Sequence, residues 1–379
     1  MGAQVNSADR EWAESIFEKL KIKLKAECSR LGDHIPYIPR EGHYRDLDTS
    51  EGIFWWTNGF WPGMLWQMYH ATGDELFRKT AEAVEKRLDK ALEGFEGLHH
   101  DVGFMWLHTA VANYRLTGNM DSRRRGLHAA NILAGRYNPA GKFIRAWNDD
   151  RAGWIIIDCL MNVPLLYWAS REINDPRFKM VAQNHADTVM NILVRPDGSC
   201  HHIGVLSPET GECLETPGGQ GYAPGSSWSR GQSWALYGFA LSSRHSAEQK
   251  YLDTAKKIAH YCTANFAHND WLPVVDFRSP SEPVKYDSTA AMISACGLLE
   301  IAGQAGECEQ ALYSKAAIKL LRACEKAFAD WNTEKDGIMG KGTAAYHGEP
   351  DTTEVPIIYG DYFFTEAILR LLGKDFLIW

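Results

Sequence analysis

Arg230-Gly231-Gln232-Ser233-Trp234-Ala235-Leu236-Tyr237-Gly238-Phe239-Ala240-Leu241-Ser242-Ser243-Arg244-His245 is the stretch that decides the fold. It opens on a charged residue between tryptophans, then runs about four turns with apolar or small residues on most faces. A helix without a polar face has to be buried. Five other segments repeat the plan: WTNGFWPGMLWQMYHATG from Trp56, DVGFMWLHTAVANYRLTG from Asp101, DCLMNVPLLYWASREI from Asp158, DSTAAMISACGLLEIAG from Asp287 and DYFFTEAILRLLG from Asp361. Their starts lie 45 to 74 residues apart.

Amphipathic helices are predicted between them, over 74–92, 121–136, 175–193, 246–266 and 310–330, with a sixth over 7–28. Leu76, Thr80, Ala83, Val84 and Leu88 show the three- and four-residue steps of one buried stripe. No single hairpin can bury its inner face, whereas a closed ring of hairpins does. Six buried and six amphipathic helices therefore predict an all-α fold, an (α/α)6 barrel. No stretch has linker composition, so residues 1–379 are expected to form one catalytic domain. The 194–229 stretch, rich in Gly, Pro and Ser, is too long for a plain connection and is expected to carry function.

Composition narrows the function classes. Hydrophobic residues at 45% and charged residues at 23% fit a globular chain. A net charge of −8 argues against nucleic acid as a partner. No run approaches the roughly 18 apolar residues of a membrane span. The start, Met1 to Ser7, lacks the basic-then-apolar pattern of a signal peptide. Eight cysteines, scattered and without a C-x-x-C pair, read as reduced, and a cytoplasmic monomer is expected. The 14 tryptophans fit either a large core or a cleft that stacks flat rings on a ligand.

In such a ring the starts of the inner helices gather at one mouth, so Trp56, Asp101, Asp158, Arg230, Asp287 and Asp361 are predicted to rim one cavity. An Asp at a helix start is first of all a cap. Asp158 stands apart, because it sits between Trp154-Ile155-Ile156-Ile157 and Cys159-Leu160-Met161. Burial there would raise its pKa, as a general acid needs. Asp101 follows His99-His100, a more polar setting, and two carboxylates in unlike surroundings suit glycoside chemistry. Arg230, flanked by Trp228 and Trp234 and followed by Gly231, suits a carboxylate-bearing ring. The adjacent pairs His99-His100 and His201-His202 are expected to diverge, and no metal-ligand spacing, phosphate loop or G-x-S-x-G elbow occurs. No metal and no cofactor are expected.

Six motifs, in order, make the chain resemble the unsaturated glucuronyl hydrolases of glycoside hydrolase family 88. They are Trp56-Thr57-Asn58-Gly59-Phe60-Trp61-Pro62-Gly63, His99-His100-Asp101-Val102-Gly103-Phe104, Ile155-Ile156-Ile157-Asp158-Cys159-Leu160-Met161-Asn162, Trp228-Ser229-Arg230-Gly231-Gln232-Ser233-Trp234, Asp287-Ser288-Thr289-Ala290 and Tyr359-Gly360-Asp361-Tyr362. The resemblance implies an (α/α)6 barrel acting on oligosaccharides that end in a 4,5-unsaturated uronate, the product of polysaccharide lyases. It implies hydration of the vinyl ether, giving a hemiketal that opens and releases the next sugar. Carried over, Asp158 is the general acid and base, and Asp101 is the second essential carboxylate. His202, Gln220, Arg230 and Trp234 surround the unsaturated ring, Trp56 and Trp147 stack on sugar, and His100 belongs to the Asp101 motif. The chain departs from the family at Gly219, where a His is expected before Gln220, and over 341–347, which matches poorly. A related activity on unsaturated rhamnogalacturonyl fragments of pectin and a non-catalytic sugar-binding barrel are the alternatives.

Overall fold

The computed structural model describes residues 6–48 and 52–379. The reading of residues 1–5 as lacking a leader lies outside them. The outer helices are α1 (Ser7–Leu31), α3 (Glu75–Arg87), α7 (Met120–Gly135), α9 (Pro176–Leu193), α11 (Gln249–His268) and α13 (Glu307–Phe328). The inner set starts with α2 (Phe60–Thr72), led in by a 3-10 turn at Trp56–Gly59. Next come α5 (Val102–Trp106) and α6 (Ala112–Thr117), joined through a π-helical turn at Leu107–Val111. A 3-10 turn at Ile157–Met161 leads into α8 (Pro164–Glu172), and α10 (Ser229–Ser246), α12 (Ser288–Gln304) and α14 (Ile358–Leu372) complete the set. The ring closes where α14 packs on α2. This is the (α/α)6 barrel that the alternation of buried and amphipathic segments predicts.

Local signals explain the boundaries. Asp74, Asn119 and Asp175 cap α3, α7 and α9 by accepting backbone N–H groups. Gly73 and Gly118 end α2 and α6 in the left-handed conformation that glycine adopts without strain. The predicted 74–92 helix is broken at Leu88, and its remainder is the short α4 (Asp89–Glu93). The π turn falls where His108 packs against Gly63, at which an added Cβ would lie 2.6 Å from the ring. Among the described residues no helix is long and apolar enough to cross a membrane. All eight cysteines are free thiols, with Cys213 and Cys308 exposed.

Among the described residues the strands are few and short. β1 (Tyr137–Asn138) pairs with β2 (Phe143–Ile144). β3 (Trp154–Ile156), β4 (Ile203–Leu206) and β5 (Cys213–Glu215) form an antiparallel sheet in that order, with Ile156 opposite Ile203. The 194–229 stretch is thus partly a hairpin, and two to four residues per strand are too few to show a period of two. The barrel axis is filled by rings: Phe60, Phe104, Trp234 and Phe363 are all but inaccessible. Trp379 stacks on Phe363 with an interplanar angle of 2° and donates its indole N–H to Glu366.

A buried polar cluster ties α1 to the segment that later forms one wall of the cleft. Lys23 Nζ donates to the carbonyls of Asn332 and Lys335, and Glu27 Oε1 accepts from Gly337 N. Asp361 accepts from the N–H groups of Ile338 and Met339. Asp361 is wholly buried, so it does not rim the cavity as its place at a helix start predicted. It lies one turn inside α14, and its carboxylate serves the backbone of a neighbouring segment instead.

Burial, then the charge of Asp361, pushes the Glu27 carboxyl up to about 8 from 4.5. Between these values the unfolded chain is ionised while the folded protein keeps the proton, so stability falls as pH rises through that window. Glu27→Gln is expected to flatten this fall, read as urea midpoints across the same range. An equally steep fall in the variant would assign it to another group.

Candidate active site

The inner-helix starts that do converge enclose a cavity of about 240 Å³. Asp101, Asp158, Trp56, His100, Trp147, Gln220, Arg230 and Trp234 all line it. Trp55, His99, Phe104, Ile156 and Trp228 line it as well, and residue spacing had not singled them out. His202 stands behind the wall, its Nε2 3.7 Å from Asp158 Oδ2.

Asp101 and Asp158 share one feature: neither makes the cap expected of an Asp at a helix start. Asp101 precedes α5 without a side-chain bond to its first turn. Asp158 sits inside the 3-10 turn before α8, and that turn also has no side-chain cap. Asn162, one helical turn after Asp158, performs the local bonding in their place. Its Oδ1 accepts from Phe104 N at 2.7 Å, and its Nδ2 donates to Asp101 Oδ1 at 2.9 Å and to the Asp158 carbonyl at 3.4 Å. One side chain therefore ties the Asp101 carboxylate to the backbone of Asp158. Its spacing of four from Asp158 was the available signal.

The two environments are unlike, but in the reverse of the predicted sense. The Asp158 side chain keeps 17% of its surface exposed, against 11% for Asp101. Burial and then the charge of Asp158 push the Asp101 carboxyl well above the usual range. Ile155 and Ile157 are both wholly buried, and the 3-10 turn that follows β3 presents the next side chain, Asp158, to the cleft. Asp101 has histidine neighbours, yet burial depresses both rings, His99 to about 4 and His100 well below its usual range, so they are neutral. A sequence that looks polar there supplies no counter-charge.

The expectation that adjacent histidines diverge fails at His99-His100. Asp101 sits in a turn with φ −83° and ψ 11°, not in an extended chain. His99 Nδ1 and His100 Nε2 lie 3.3 and 3.4 Å from the same Asp101 Oδ2.

Arg230 is buried, and most of its donors meet the protein. Nη1 donates to Asp287 Oδ2 at 2.7 Å and to the Thr343 carbonyl at 2.5 Å, and Nη2 donates to the Ala344 carbonyl. Asp287 lies beneath Arg230, fully buried, and also caps α12 through Thr289 N, so it too is absent from the rim. The guanidinium lies 4.5 Å from the Trp228 ring centroid. Its Nε–H and one Nη2–H make no such bond among the described residues. Gln220 Nε2 donates to the Ala344 carbonyl at 2.6 Å, and Tyr346 N donates back to the Gln220 carbonyl. The poorly matching 341–347 segment thus carries the acceptors that hold Arg230 and Gln220. Trp56 lies 5.0 Å from Tyr359, and Trp147 is flanked by Trp154 at 5.3 Å and by the Arg151 guanidinium at 4.0 Å.

Gly219 has a physical reason. Its φ is +58°, and a Cβ there would collide with His202 Nδ1. That nitrogen accepts from Gln220 N at 3.0 Å, so the neutral ring carries its hydrogen on Nε2, toward Asp158. A side chain at 219 would displace the ring. Gly219→Ala is expected to lower kcat/KM at least about tenfold with the fold retained, since misplacement near 1 Å costs up to about a hundredfold. Unchanged turnover would show that the His202 position is immaterial.

The model of Glycosyl Hydrolase Family 88 matches residues 37–351. The unsaturated glucuronyl hydrolase of Bacillus sp. (strain GL1) is 36% identical, over 95% of this chain and 96% of its own. An unsaturated chondroitin disaccharide hydrolase of Streptococcus pyogenes serotype M1 is 33% identical, over 87% and 84%. The crystal structure of the Bacillus sp. GL1 enzyme superposes with a TM-score of 0.89 at 36% identity, covering 95% and 96% of the two chains. A mutant unsaturated glucuronyl hydrolase from Streptococcus agalactiae, complexed with dGlcA-GalNAc6S, gives 0.84 at 26% identity over 98% and 94%. The chain belongs to glycosyl hydrolase family 88.

Proposed function

We propose that this chain is an unsaturated glucuronyl hydrolase, releasing the 4,5-unsaturated uronate from the non-reducing end of lyase-generated glycosaminoglycan oligosaccharides. The observation that carries the reading is the pair Asp101 and Asp158, two uncapping carboxylates of unlike environment facing one aromatic-walled cavity. At about 240 Å³ the cavity is smaller than the roughly 300–1,000 Å³ usual for drug-sized ligands. It suits one terminal sugar ring, with the rest of the oligosaccharide outside. Trp56, Trp147 and Trp234 supply flat walls. The remaining N–H groups of Arg230 and the side chain of Gln220 face the ring's carboxylate and hydroxyls.

Asp158 delivers its proton to C4 of the vinyl ether, leaving positive charge at C5 and the ring oxygen. Water adds at C5 and returns a proton to Asp158, so the group ends as it began. The product is a hemiketal at C5; it opens by breaking the bond from C5 to the ring oxygen, and the hemiacetal left at C1 then expels the next sugar as its hydroxyl. Asp101, holding its proton, donates to a ring hydroxyl without adding a second negative charge. His202 Nε2–H, 3.7 Å from Asp158, is placed to orient its carboxylate.

The same reading includes one catalytic domain over 1–379, a monomer without nucleic-acid or membrane partners, and a cytoplasmic location supported by the free thiols. Turnover is expected to bleach the ultraviolet absorbance of unsaturated chondroitin, hyaluronan or heparin disaccharides, with chelator present throughout. Asp158→Asn is expected to lose roughly 10²–10⁴ of the rate. Bleaching only of an unsaturated rhamnogalacturonyl disaccharide would move the substrate to pectin. Binding without bleaching would leave a sugar-binding barrel, and a near-full rate in Asp158→Asn would remove the acid assignment.

A further inference from the structure

His99, His100 and Asp101 form a cluster that the hydration chemistry does not use as a unit. Their three ligating atoms, His99 Nδ1, His100 Nε2 and Asp101 Oδ2, all lie within 4.8 Å of one another. Two of the three separations are 3.3 and 3.4 Å. Bonds of about 2.0–2.1 Å at tetrahedral angles give edges of about 3.3–3.4 Å, so two edges already have the length a bound zinc ion requires. Both rings approach the same carboxylate oxygen, and His99 Nδ1 also faces the Asp101 backbone N–H at 3.5 Å. Asn162 holds the other oxygen, Oδ1, and so aims Oδ2 at the rings. All three residues line the cavity, which leaves a fourth position open toward it.

We propose that His99, His100 and Asp101 bind a divalent transition-metal ion of the zinc class, and that the bound ion blocks turnover by engaging the Asp101 carboxylate. Two nitrogen donors and one oxygen select Zn²⁺ or Co²⁺ over Mg²⁺ and Ca²⁺, which prefer all-oxygen shells. Inhibition, but not binding, rests on the glycosidase reading above.

Binding is tested without substrate, in a Cys213→Ser, Cys308→Ser background that removes the exposed thiols. Titration with Co²⁺ is expected to give the visible absorption of a tetrahedral site at one ion per chain, displaced by Zn²⁺ but not by Mg²⁺ or Ca²⁺. His99→Gln, at a side chain 23% exposed, is expected to weaken binding at least about tenfold, on the scale of losses at metal sites. No cobalt spectrum in the parent overturns the proposal, as does equal affinity in His99→Gln. A separate arm follows disaccharide turnover, expected to fall as Zn²⁺ is added and to return with chelator. Zinc bound at this cluster with turnover unchanged overturns the inhibitory half and leaves the hydrolase reading intact.

Discussion

The ion pair between Arg230 and Asp287 underlies the rest of the cleft. Both groups are removed from water, and such a pair is tolerated only with close geometry and further bonds on the remaining atoms. Here the further bonds come from the 341–347 segment: the Thr343 and Ala344 carbonyls accept from Arg230, and Thr343 N donates to Asp287. The start of α10, the start of α12 and a long loop are fixed together by one charge pair. Breaking such a pair by removing one partner costs about 3–5 kcal/mol, so the loop has little freedom to leave. Gln220 then hangs on the same Ala344 carbonyl, and through its backbone it sets the tautomer of His202. A cation at the centre thus organises a carboxylate-binding wall, a histidine and, through that histidine, the surroundings of Asp158.

On the opposite wall the organiser is neutral. Asn162 gives one bond to Asp101 and one to the Asp158 carbonyl and takes one from the start of α5, so the two acids belong to one rigid corner. Their inequality follows from access. Asp101 is enclosed between neutral histidines and the helix start, while Asp158 opens to the cavity. Charge repulsion between them favours the proton on the more enclosed one.

The barrel was readable because inner and outer helices bury different fractions of their surface, and that difference is written in every turn. Six all-apolar segments such as α10 and α12 cannot be mistaken for surface helices. The site's membership was also readable, since Asp101, Asp158 and Arg230 mark helix starts and a ring fold brings starts together. Asp287 and Asp361 obeyed the same positional rule and were nonetheless misplaced. A helix start says where a side chain begins, not which neighbouring backbone it will serve. The relative burial of the two acids was inverted because Ile155 to Ile157 reads as an apolar run, while the 3-10 turn after β3 presents Asp158 to the cavity. Adjacent histidines converge at His99 and His100 because a turn replaces the extended backbone that linear reasoning assumes. The short strands and the Asn162 bridge are set by tertiary contacts.

The plug of rings along the barrel axis has a kinetic consequence. Phe104 and Trp234 form the inner wall of the cavity, and Phe363 and Trp379 fill the axis beyond them. Among the described residues these rings close the axial end of the cavity. Whatever enters first leaves last, so the shortened oligosaccharide must withdraw before the detached sugar acid can escape. Each cut then ends with the chain released to solvent, and the barrel cannot walk along a polymer. Shortening proceeds by separate encounters, with the freed monosaccharide as the second product off and the natural competitor of the next substrate.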